Sequence, residues 1–181
     1  VIGGFGSDTI LAGDGANVVL GDNGELVSAA ADSPQWNGHP FAPGQIRTKD
    51  PTFVDADTIT TGSGNDMNHA GAQGDGVTAG AGNNIVIGDH GEIDFSGTDS
   101  DPADIDLITT SNGVIGGDDT ITSSGGNDIL IGGFGSDDLQ AGDDIDLGDR
   151  GQLHYVIDED TVQGKDRKSV VAGLSVEGGG G

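Results

Sequence analysis

Short apolar segments recur along this chain every nine residues, and each begins shortly after an acidic or amide side chain. In the central stretch, residues 57–95, these anchor positions are Asp57, Asp66, Asp75 and Asn84. Ile59, Val77 and Val86 lie two residues after three of the anchors, and the residues before Asp66, Asp75 and Asn84 are rich in glycine. Self-similarity at a short fixed period predicts a solenoid in which each repeat contributes one turn and one short strand.

The same anchor column continues on both sides of the central stretch. The further anchors are Asp8, Asn17, Asp119, Asp128 and Asp137. The segment GGFGSD occurs twice without change, at residues 3–8 and 132–137. With a tenth, shortened unit anchored at Asp144, eight of ten units carry Ile, Val or Leu two residues after the anchor, and the exceptions have Asn68 and Asp146 there. This position is therefore predicted to face a continuous apolar core.

A longer repeat divides the chain into blocks. Each set of nine-residue repeats (nonapeptides) is followed by a GDxG turn and a segment of alternating apolar residues. These closing segments lie at residues 21–26, 88–93 and 148–153, and their first residues are 67 and 60 positions apart. The x-Gly step suits a tight turn with positive φ, so each block should end in a turn and one longer strand. The predicted organisation is block 1 at 1–27, insertion 1 at 28–54, block 2 at 55–95, insertion 2 at 96–116, block 3 at 117–155, and an irregular tail or further insertion at 156–181.

The two insertions contain all five prolines of the chain. Proline removes a ladder N–H from a central strand, so its exclusion from the nonapeptides independently supports the strand prediction. One block supplies only about two coils, and a solenoid needs more stacked repeats to bury a core. The blocks are therefore expected to stack on one another, with the insertions projecting as loops from a continuous roll.

Insertion 1 concentrates large apolar side chains, with Trp36, Phe41 and Phe53 within 18 residues. Such a cluster on a projecting loop either packs back on the roll as a lid or contacts another chain, and both alternatives are open. If it contacts another chain, self-association is the expected form, because tandem units would display the same surface repeatedly. The predicted partners are a second copy or another extracellular or cell-surface protein.

The charge of the chain is strongly acidic, with 31 acidic and 6 basic residues and a net charge of −25. Of the acids, 27 are Asp and only four are Glu, and Asp suits turns and short-reach coordination of hard cations. This charge excludes a nucleic-acid partner, which needs a basic footprint. No apolar run approaches the roughly 20 residues of a membrane span.

The amino-acid composition also bears on the environment of the protein. It has no cysteine, which excludes disulfides and thiolate metal sites and fits an extracellular protein stabilised by metal. Its 36 glycines and 4% aromatics argue against an ordinary packed core. The chain starts within a repeat at Val1 and ends in glycines, so it is predicted to be a segment of a longer protein.

The nonapeptide itself suggests metal chemistry. Glycines before each anchor let the backbone turn sharply and aim its carbonyls inward, and the anchor adds a carboxylate where the turn ends. Ca²⁺ is a hard ion that takes six to eight oxygens from carboxylates and backbone carbonyls. One such turn cannot supply this number of oxygens, but two stacked turns can. The spacing therefore predicts Ca²⁺ sites between turns.

These residues resemble the repeats-in-toxin family, whose hemolysin-type calcium-binding nonapeptide is G-G-x-G-x-D-x-U-x, with U a large aliphatic residue. Residues 3–11 and 132–140 match this nonapeptide in full, the other units match with one to three departures, and the resemblance covers a little over half of the chain. It implies an all-β fold, a parallel β-roll or β-helix solenoid, with two nonapeptides per coil and several Ca²⁺ ions held between successive turns along each edge.

The resemblance also implies which residues bind the ions. The side chains are Asp8, Asp22, Asp57, Asp66, Asp75, Asp89, Asp119, Asp128, Asp137, Asp144 and Asp149, with Asn17 and Asn84 as weaker amide ligands. The glycines of the binding turns are Gly4, Gly6, Gly62, Gly64, Gly133 and Gly135. Turns two units apart would share ions, pairing Asp57 with Asp75, Asp66 with Asn84, Asp119 with Asp137, Asp128 with Asp144, and Asp8 with the turn at Asp22.

No complete catalytic motif occurs, so a non-enzymatic role is expected. The four histidines, which match no metal spacing and are predicted to lie on the surface, are His39, His69, His90 and His154. The predicted function is a calcium-binding structural or adhesive segment of a secreted or cell-surface bacterial protein, such as an adhesin, surface-layer or filament component. The alternative is the secretion and folding module of an exported enzyme or toxin whose catalytic domain lies outside this chain.

Overall fold

The chain is all-β in the part that the structure describes. The structure is a computed structural model that describes residues 1–29, 42–52, 55–96, 102–111, 114–140, 145–147 and 152–154. These ranges contain strands and no helix, and therefore no helix long and apolar enough to cross a membrane. The strands are β1 (Thr9–Gly13), β2 (Val18–Leu20), β3 (Gly24–Ser28), β4 (Pro43–Thr48), β5 (Thr58–Thr61), β6 (Met67–His69), β7 (Gly76–Ala81), β8 (Ile85–Ile87), β9 (Gly91–Asp94), β10 (Leu107–Thr110), β11 (Thr120–Gly125), β12 (Ile129–Ile131), β13 (Asp138–Gln140), β14 (Ile145–Leu147) and β15 (Gln152–His154).

The nonapeptide strands form two five-stranded parallel sheets. One, called the first sheet, has the order β1-β5-β7-β11-β13, and the second sheet has the order β2-β6-β8-β12-β14. Consecutive nonapeptides thus alternate between the sheets. Pairing also crosses both insertions, since β1 lies beside β5 and β7 beside β11. The expectation that the blocks stack on one another is confirmed for these strands.

A third sheet is antiparallel and was not predicted. Its order is β15-β10-β9-β4-β3, so the closing strand of each block pairs with strands that lie inside the predicted insertions. Residues 43–48 and 107–110 are therefore parts of a sheet, which corrects their assignment to projecting loops. Their central residues Ile46 and Ile108 are 0% and 1% exposed. Pro43 is tolerated because it occupies the first position of β4.

The second sheet has apolar side chains on both faces. Val19, Val86 and Leu130 pack with side chains of the first sheet in what is called here the inner core. Their neighbours Leu20 and Ile87 pack with side chains of the antiparallel sheet in the outer core. Adjacent residues of a strand point to opposite faces, so three consecutive apolar residues are explained by burial on both sides.

Block 2 places polar side chains in both cores. Asn68 lies between Val19 and Val86 in the register of the second sheet, is fully buried, and has no hydrogen-bond partner at Oδ1 or Nδ2. His69 and His90 are also fully buried, so the prediction that they lie on the surface is wrong. His39 lies outside the described residues, and only the backbone of His154 is described.

The aromatic residues of the turns face outward. Phe5 and Phe134 occupy the third position of their turns and are 65% and 40% exposed. The predicted lid or interface formed by Trp36, Phe41 and Phe53 lies outside the described residues.

Candidate metal-binding carboxylate ladders

The anchor residues before the first sheet form a continuous ladder of carboxylates. In each step the backbone N–H of one anchor donates to the Oδ1 atom of the anchor on the next strand. The bonds are Asp8 to Asp57 (2.8 Å), Asp57 to Asp75 (2.7 Å), Asp75 to Asp119 (2.8 Å) and Asp119 to Asp137 (3.0 Å). Parallel pairing in register places these anchors one above another, so negative charges accumulate along one edge. We call this row the first ladder.

A second ladder runs along the turns that lead into the second sheet. The same backbone-to-side-chain bond joins Asn17 to Asp66 (2.8 Å), Asp66 to Asn84 (3.1 Å) and Asn84 to Asp128 (2.8 Å). Amide and carboxylate anchors alternate in this order. Among the described residues the second ladder therefore has two carboxylates, whereas the first has five.

Two further carboxylates lie in the GDxG turns. Asp22 Oδ2 accepts the Ala72 N–H at 2.9 Å. Asp89 Oδ1 accepts the Gly117 N–H at 3.2 Å, and Asp89 Oδ2 accepts the Phe134 N–H. Both side chains are 1% exposed. These carboxylates thus bind the backbone of turns from neighbouring repeats, as the ladder residues do.

Many carboxylate oxygens in this arrangement have no hydrogen-bond partner. The buried oxygens in question are Oδ2 of Asp8, Asp57, Asp66, Asp75 and Asp119, and Oδ1 of Asp22. The only Lys and Arg among the described residues are Arg47 and Lys49, and both pair with Glu25 on the antiparallel sheet. Within the described part of the chain, no lysine or arginine therefore neutralises the ladders.

The pKa values show the electrostatic cost of this arrangement. Burial raises the pKa of Asp75 to about 9; the Asp57 N–H bond opposes the shift, and the charge of Asp119 adds to it. Burial likewise raises the pKa of Asp119 to about 8 and that of Asp89 to about 7. Asp22 is raised to about 6, again mainly by burial, with Asp57 and Asp8 among the charges that contribute. Without a bound cation, these carboxylates take up protons far more readily than free Asp.

The amide anchors show which backbone groups surround each position. Asn17 Nδ2 donates to the carbonyls of Gly13 (3.0 Å) and Gly15 (2.9 Å), which precede it by four and two residues. Asn84 Nδ2 donates in the same way to Gly80 (3.0 Å) and Gly82 (3.3 Å). These amides present their nitrogen to the carbonyls in this structure, and the prediction that their oxygens act as weak metal ligands stays a prediction.

Aspartate anchors differ from these asparagine anchors because their side chains cannot donate hydrogen bonds when ionised. An Asp at the same position replaces the amide NH₂ with a carboxylate oxygen, which cannot donate to the two carbonyls. Asp66 follows Gly62 and Gly64 at the same spacings of four and two residues. A cation bound at an aspartate turn would be coordinated by the carboxylate and by the carbonyls together. At an asparagine turn the side-chain NH₂ group bonds the carbonyls instead, so no cation is needed there. Glycine four and two residues before an anchor is the sequence feature that identifies these carbonyl donors.

Glycine is required at these turns for two reasons: a Cβ atom would collide with neighbouring atoms, and several of the turn residues have positive φ. Gly64 has φ 140°, and a Cβ there would collide with the Gly15 backbone. A Cβ at Gly21 would collide with Asp57 Oδ2 and the Ala70 carbonyl, so the carboxylate reaches a backbone that only glycine leaves open. Of the predicted turn glycines, positive φ is found at Gly4, Gly6, Gly64, Gly133 and Gly135. Gln73 takes the same place in its turn with φ 77°.

The donors present fit Ca²⁺. They are carboxylate and backbone carbonyl oxygens, which hard cations prefer. In the described part of the chain no three Asp, Glu or His side chains form one metal-binding group, so an ion here would draw on backbone carbonyls and on anchors of adjacent strands. Three predicted pairs are adjacent in the ladders, namely Asp57 with Asp75, Asp66 with Asn84, and Asp119 with Asp137. Asp144 and Asp149 lie outside the described residues.

The turn that carries Asp8 lies beside the GDNG turn with which it was predicted to pair, since the Gly4 N–H donates to the Gly21 carbonyl at 2.9 Å. The ladder partner of Asp8 is Asp57, 49 residues later, and Asp22 lies near both of them.

Comparison with protein-family models, with curated proteins and with solved structures finds no match to this chain.

Proposed function

We propose that this chain is a calcium-binding repeat segment of the β-roll type, which folds as its carboxylate ladders take up Ca²⁺. The observation that carries the proposal is the set of buried carboxylate oxygens without a donor, repeated at successive turns. The resemblance of the nonapeptides to those of the repeats-in-toxin family supports the choice of Ca²⁺.

The side chains that would hold the ions are the aspartates of both ladders, with Asp22 and Asp89 at the closing turns. At Asp57, Asp66, Asp75 and Asp119 the Oδ1 atom already bonds the adjacent strand, so Oδ2 is the atom available to a cation. At Asp22 the available atom is Oδ1. Bound Ca²⁺ would supply positive charge to stacked carboxylates that otherwise repel one another by about 1 kcal/mol per pair in water and more in a less polar site. Asn17 and Asn84 would not hold an ion, because their amides already serve the turn carbonyls.

A structural or adhesive role in a secreted or cell-surface protein fits these features best. Extracellular calcium modules bind weakly, with Kd of about 10⁻⁴ to 10⁻³ M, and suit an environment with abundant Ca²⁺. The antiparallel sheet joins the closing strands of successive blocks, as a modular spacer requires. The insertions interrupt the nonapeptide run, which favours a spacer or assembly unit over a secretion module. Self-association through insertion 1 remains part of this proposal.

Calcium-dependent folding tests the proposal. Far-UV circular dichroism of the full chain in a chelator, in Ca²⁺ and in Mg²⁺ should show strand formation that depends on Ca²⁺. Mg²⁺ is the control, because it demands a near-ideal octahedral site and dehydrates reluctantly. Calorimetry should then show fewer bound Ca²⁺ ions for Asp66→Ala than for the exposed control Asp138→Ala. Equal strand content in chelator and in Ca²⁺, together with no heat of Ca²⁺ binding, would show the proposal to be wrong.

A further inference from the structure

The stacked turns that carry the first ladder are interrupted twice, at the points where the chain leaves for an insertion and returns from it. The chain leaves through the GDxG turns, with Asp22 at the first interruption and Asp89 at the second. It returns at the anchors Asp57 and Asp119, directly before β5 and β11. We call these two points the first and second breaks. No continuous stretch of chain closes the turn at a break, so other contacts must hold its two ends together.

The aspartate of each GDxG turn occupies a position that has glycine in the uninterrupted turns. Strand register aligns both aspartates with the glycines of those turns, Gly4, Gly71 and Gly133. The nonapeptide of the repeats-in-toxin family also has glycine at this position. A Cβ at Gly71 would collide with the Asp22 carboxylate, so this side chain reaches the neighbouring turn. The aspartate is therefore a feature of the breaks and is not part of the nonapeptide.

Asp89 closes the second break with hydrogen bonds inside the protein. Its Oδ2 accepts the Phe134 N–H of the neighbouring turn, and its Oδ1 accepts the Gly117 N–H at 3.2 Å. Gly117 belongs to the returning segment, two residues before Asp119. A Cβ at Gly116 would collide with the same carboxylate, so the returning segment packs directly against it. One side chain thus joins both ends of the second break.

Asp22 makes only half of this arrangement at the first break. Its Oδ2 accepts the Ala72 N–H of the neighbouring turn at 2.9 Å, but its Oδ1 is buried and has no hydrogen-bond partner. Asp55 stands two residues before Asp57, at the place that corresponds to Gly117 in the second break. Asp22 is 1% exposed, and a buried carboxylate oxygen without a partner is unfavourable. The first break therefore lacks the bond that closes the second.

The returning anchor brings another unpaired oxygen to the first break. Asp57 is 2% exposed, and its Oδ2 has no hydrogen-bond partner. A Cβ at Gly21 would collide with this oxygen and with the Ala70 carbonyl, so both lie against the residue that directly precedes Asp22. The leaving turn, the returning anchor and a backbone carbonyl thus present oxygens within one small region. Carboxylate and carbonyl oxygens are the donors that Ca²⁺ takes.

We propose that one Ca²⁺ ion bound by Asp22 and Asp57 closes the first break, whereas hydrogen bonds to Asp89 close the second. The returning end of insertion 1 is then held to the first sheet only while the ion is bound, and the returning end of insertion 2 is held by the protein itself. This inference rests on the proposed calcium binding of the chain. It adds a specific role for the GDxG aspartate, namely joining the two ends of an interrupted turn.

Hydrogen exchange of the full, folded chain tests the difference between the breaks. The compared amides are those of Asp57 and Asp119, which donate equivalent ladder bonds of 2.7 and 3.0 Å. Ca²⁺ is lowered over the range in which circular dichroism shows that the strands are retained. An ion present at about ten times its Kd protects its site about tenfold, so exchange at Asp57 should accelerate about tenfold when the ion is lost. Exchange at Asp119 should change little over the same range.

Asp22→Asn removes the unpaired oxygen of Asp22 and keeps an oxygen for the Ala72 N–H. In saturating Ca²⁺ this variant should bind one ion fewer in calorimetry than the wild type, with faster exchange at Asp57 and unchanged exchange at Asp119. Asp138→Asn, on the exposed side of β13, is the control and should bind as many ions as the wild type. Asp89→Asn should accelerate exchange at the second break at every Ca²⁺ concentration.

The outcomes separate this inference from the proposed function. A wild type that binds no Ca²⁺ would contradict the proposed function and this inference with it. A wild type that binds Ca²⁺, but whose two breaks respond alike when the ion is lowered, would overturn this inference alone. An Asp22→Asn variant that binds the full number of ions would do the same. If that variant does not fold in Ca²⁺, the comparison of Asp57 with Asp119 in the wild type decides, because it needs no substitution.

Discussion

Replacing Asp75 by Asn should stabilise the metal-free fold and weaken its response to Ca²⁺. Asp75 lies in the middle of the first ladder, is 3% exposed, and has an unpartnered Oδ2. Asn keeps the Oδ1 that accepts the Asp57 N–H at 2.7 Å. Its amide also gains donors for the carbonyls of Gly71 and Gln73, four and two residues before it, as Asn84 does in its own turn.

The size of the effect follows from the ionisation of Asp75. Its pKa is raised from 3.8 to about 9, so at pH 7 the metal-free folded state holds a proton that the unfolded state releases. Each pKa unit corresponds to about 1.4 kcal/mol, so the roughly three units between 3.8 and pH 7 amount to about 4 kcal/mol. Asn does not ionise, and this is the upper limit of its stabilisation. With Ca²⁺ at 100 times Kd, loss of one site would instead cost roughly 2.7 kcal/mol.

Urea unfolding followed by circular dichroism measures both effects at pH 7, once in chelator and once in Ca²⁺. The matched control is Asp138→Asn, on the exposed side of β13, which should change neither curve appreciably. The decisive result is opposite signs for Asp75→Asn in the two conditions. If the variant is destabilised in chelator as much as in Ca²⁺, then Asn does not replace a cation in these turns, and the reasoning from Asn17 and Asn84 fails.

Three further predictions concern the same ladders and the inner core. Asn84→Asp should add one Ca²⁺ to the stoichiometry measured by calorimetry and lower stability in chelator, because it removes the amide bonds to Gly80 and Gly82; an unchanged stoichiometry would contradict it. In chelator, stability should fall as pH rises from about 4 towards 9, since the raised pKa values of Asp75 and Asp119 make the folded state bind more protons than the unfolded state. In saturating Ca²⁺ stability should instead change little above about pH 5, because the carboxylates are then ionised in both the ion-bound folded state and the unfolded state, and unfolding curves with the same slope in both conditions would refute this. Asn68→Val should raise stability by about 1–3 kcal/mol in urea unfolding, because it removes two buried unpaired groups; a loss of stability would show that Asn68 has a partner.

The turn residues were largely predictable because their requirements are local. An anchor every nine residues, preceded by glycine within four residues in every unit except that of Asp57, identifies where the backbone turns and which side chain ends each turn. The resemblance to the repeats-in-toxin nonapeptides pairs Asp57 with Asp75, 18 residues later, and the structure places them in adjacent rungs. The apolar position two residues after each anchor likewise follows from the alternation of side chains along a strand. Ile59, Val77 and Leu130 are buried as this alternation requires.

The tertiary structure decided what depends on residues distant in the chain. β4 and β10 lie in segments marked by prolines or acidic residues, and pairing with the closing strands, with β9 between them, makes them strands of a common sheet. The direction of the Asn84 amide depends on two turn carbonyls and on Ser123 of another repeat, which no local pattern specifies. His69 resembles a surface residue in sequence, yet it is buried because its strand is covered on both faces. Short-range periodicity determines turns and strands, whereas burial and charge depend on which strands are brought together.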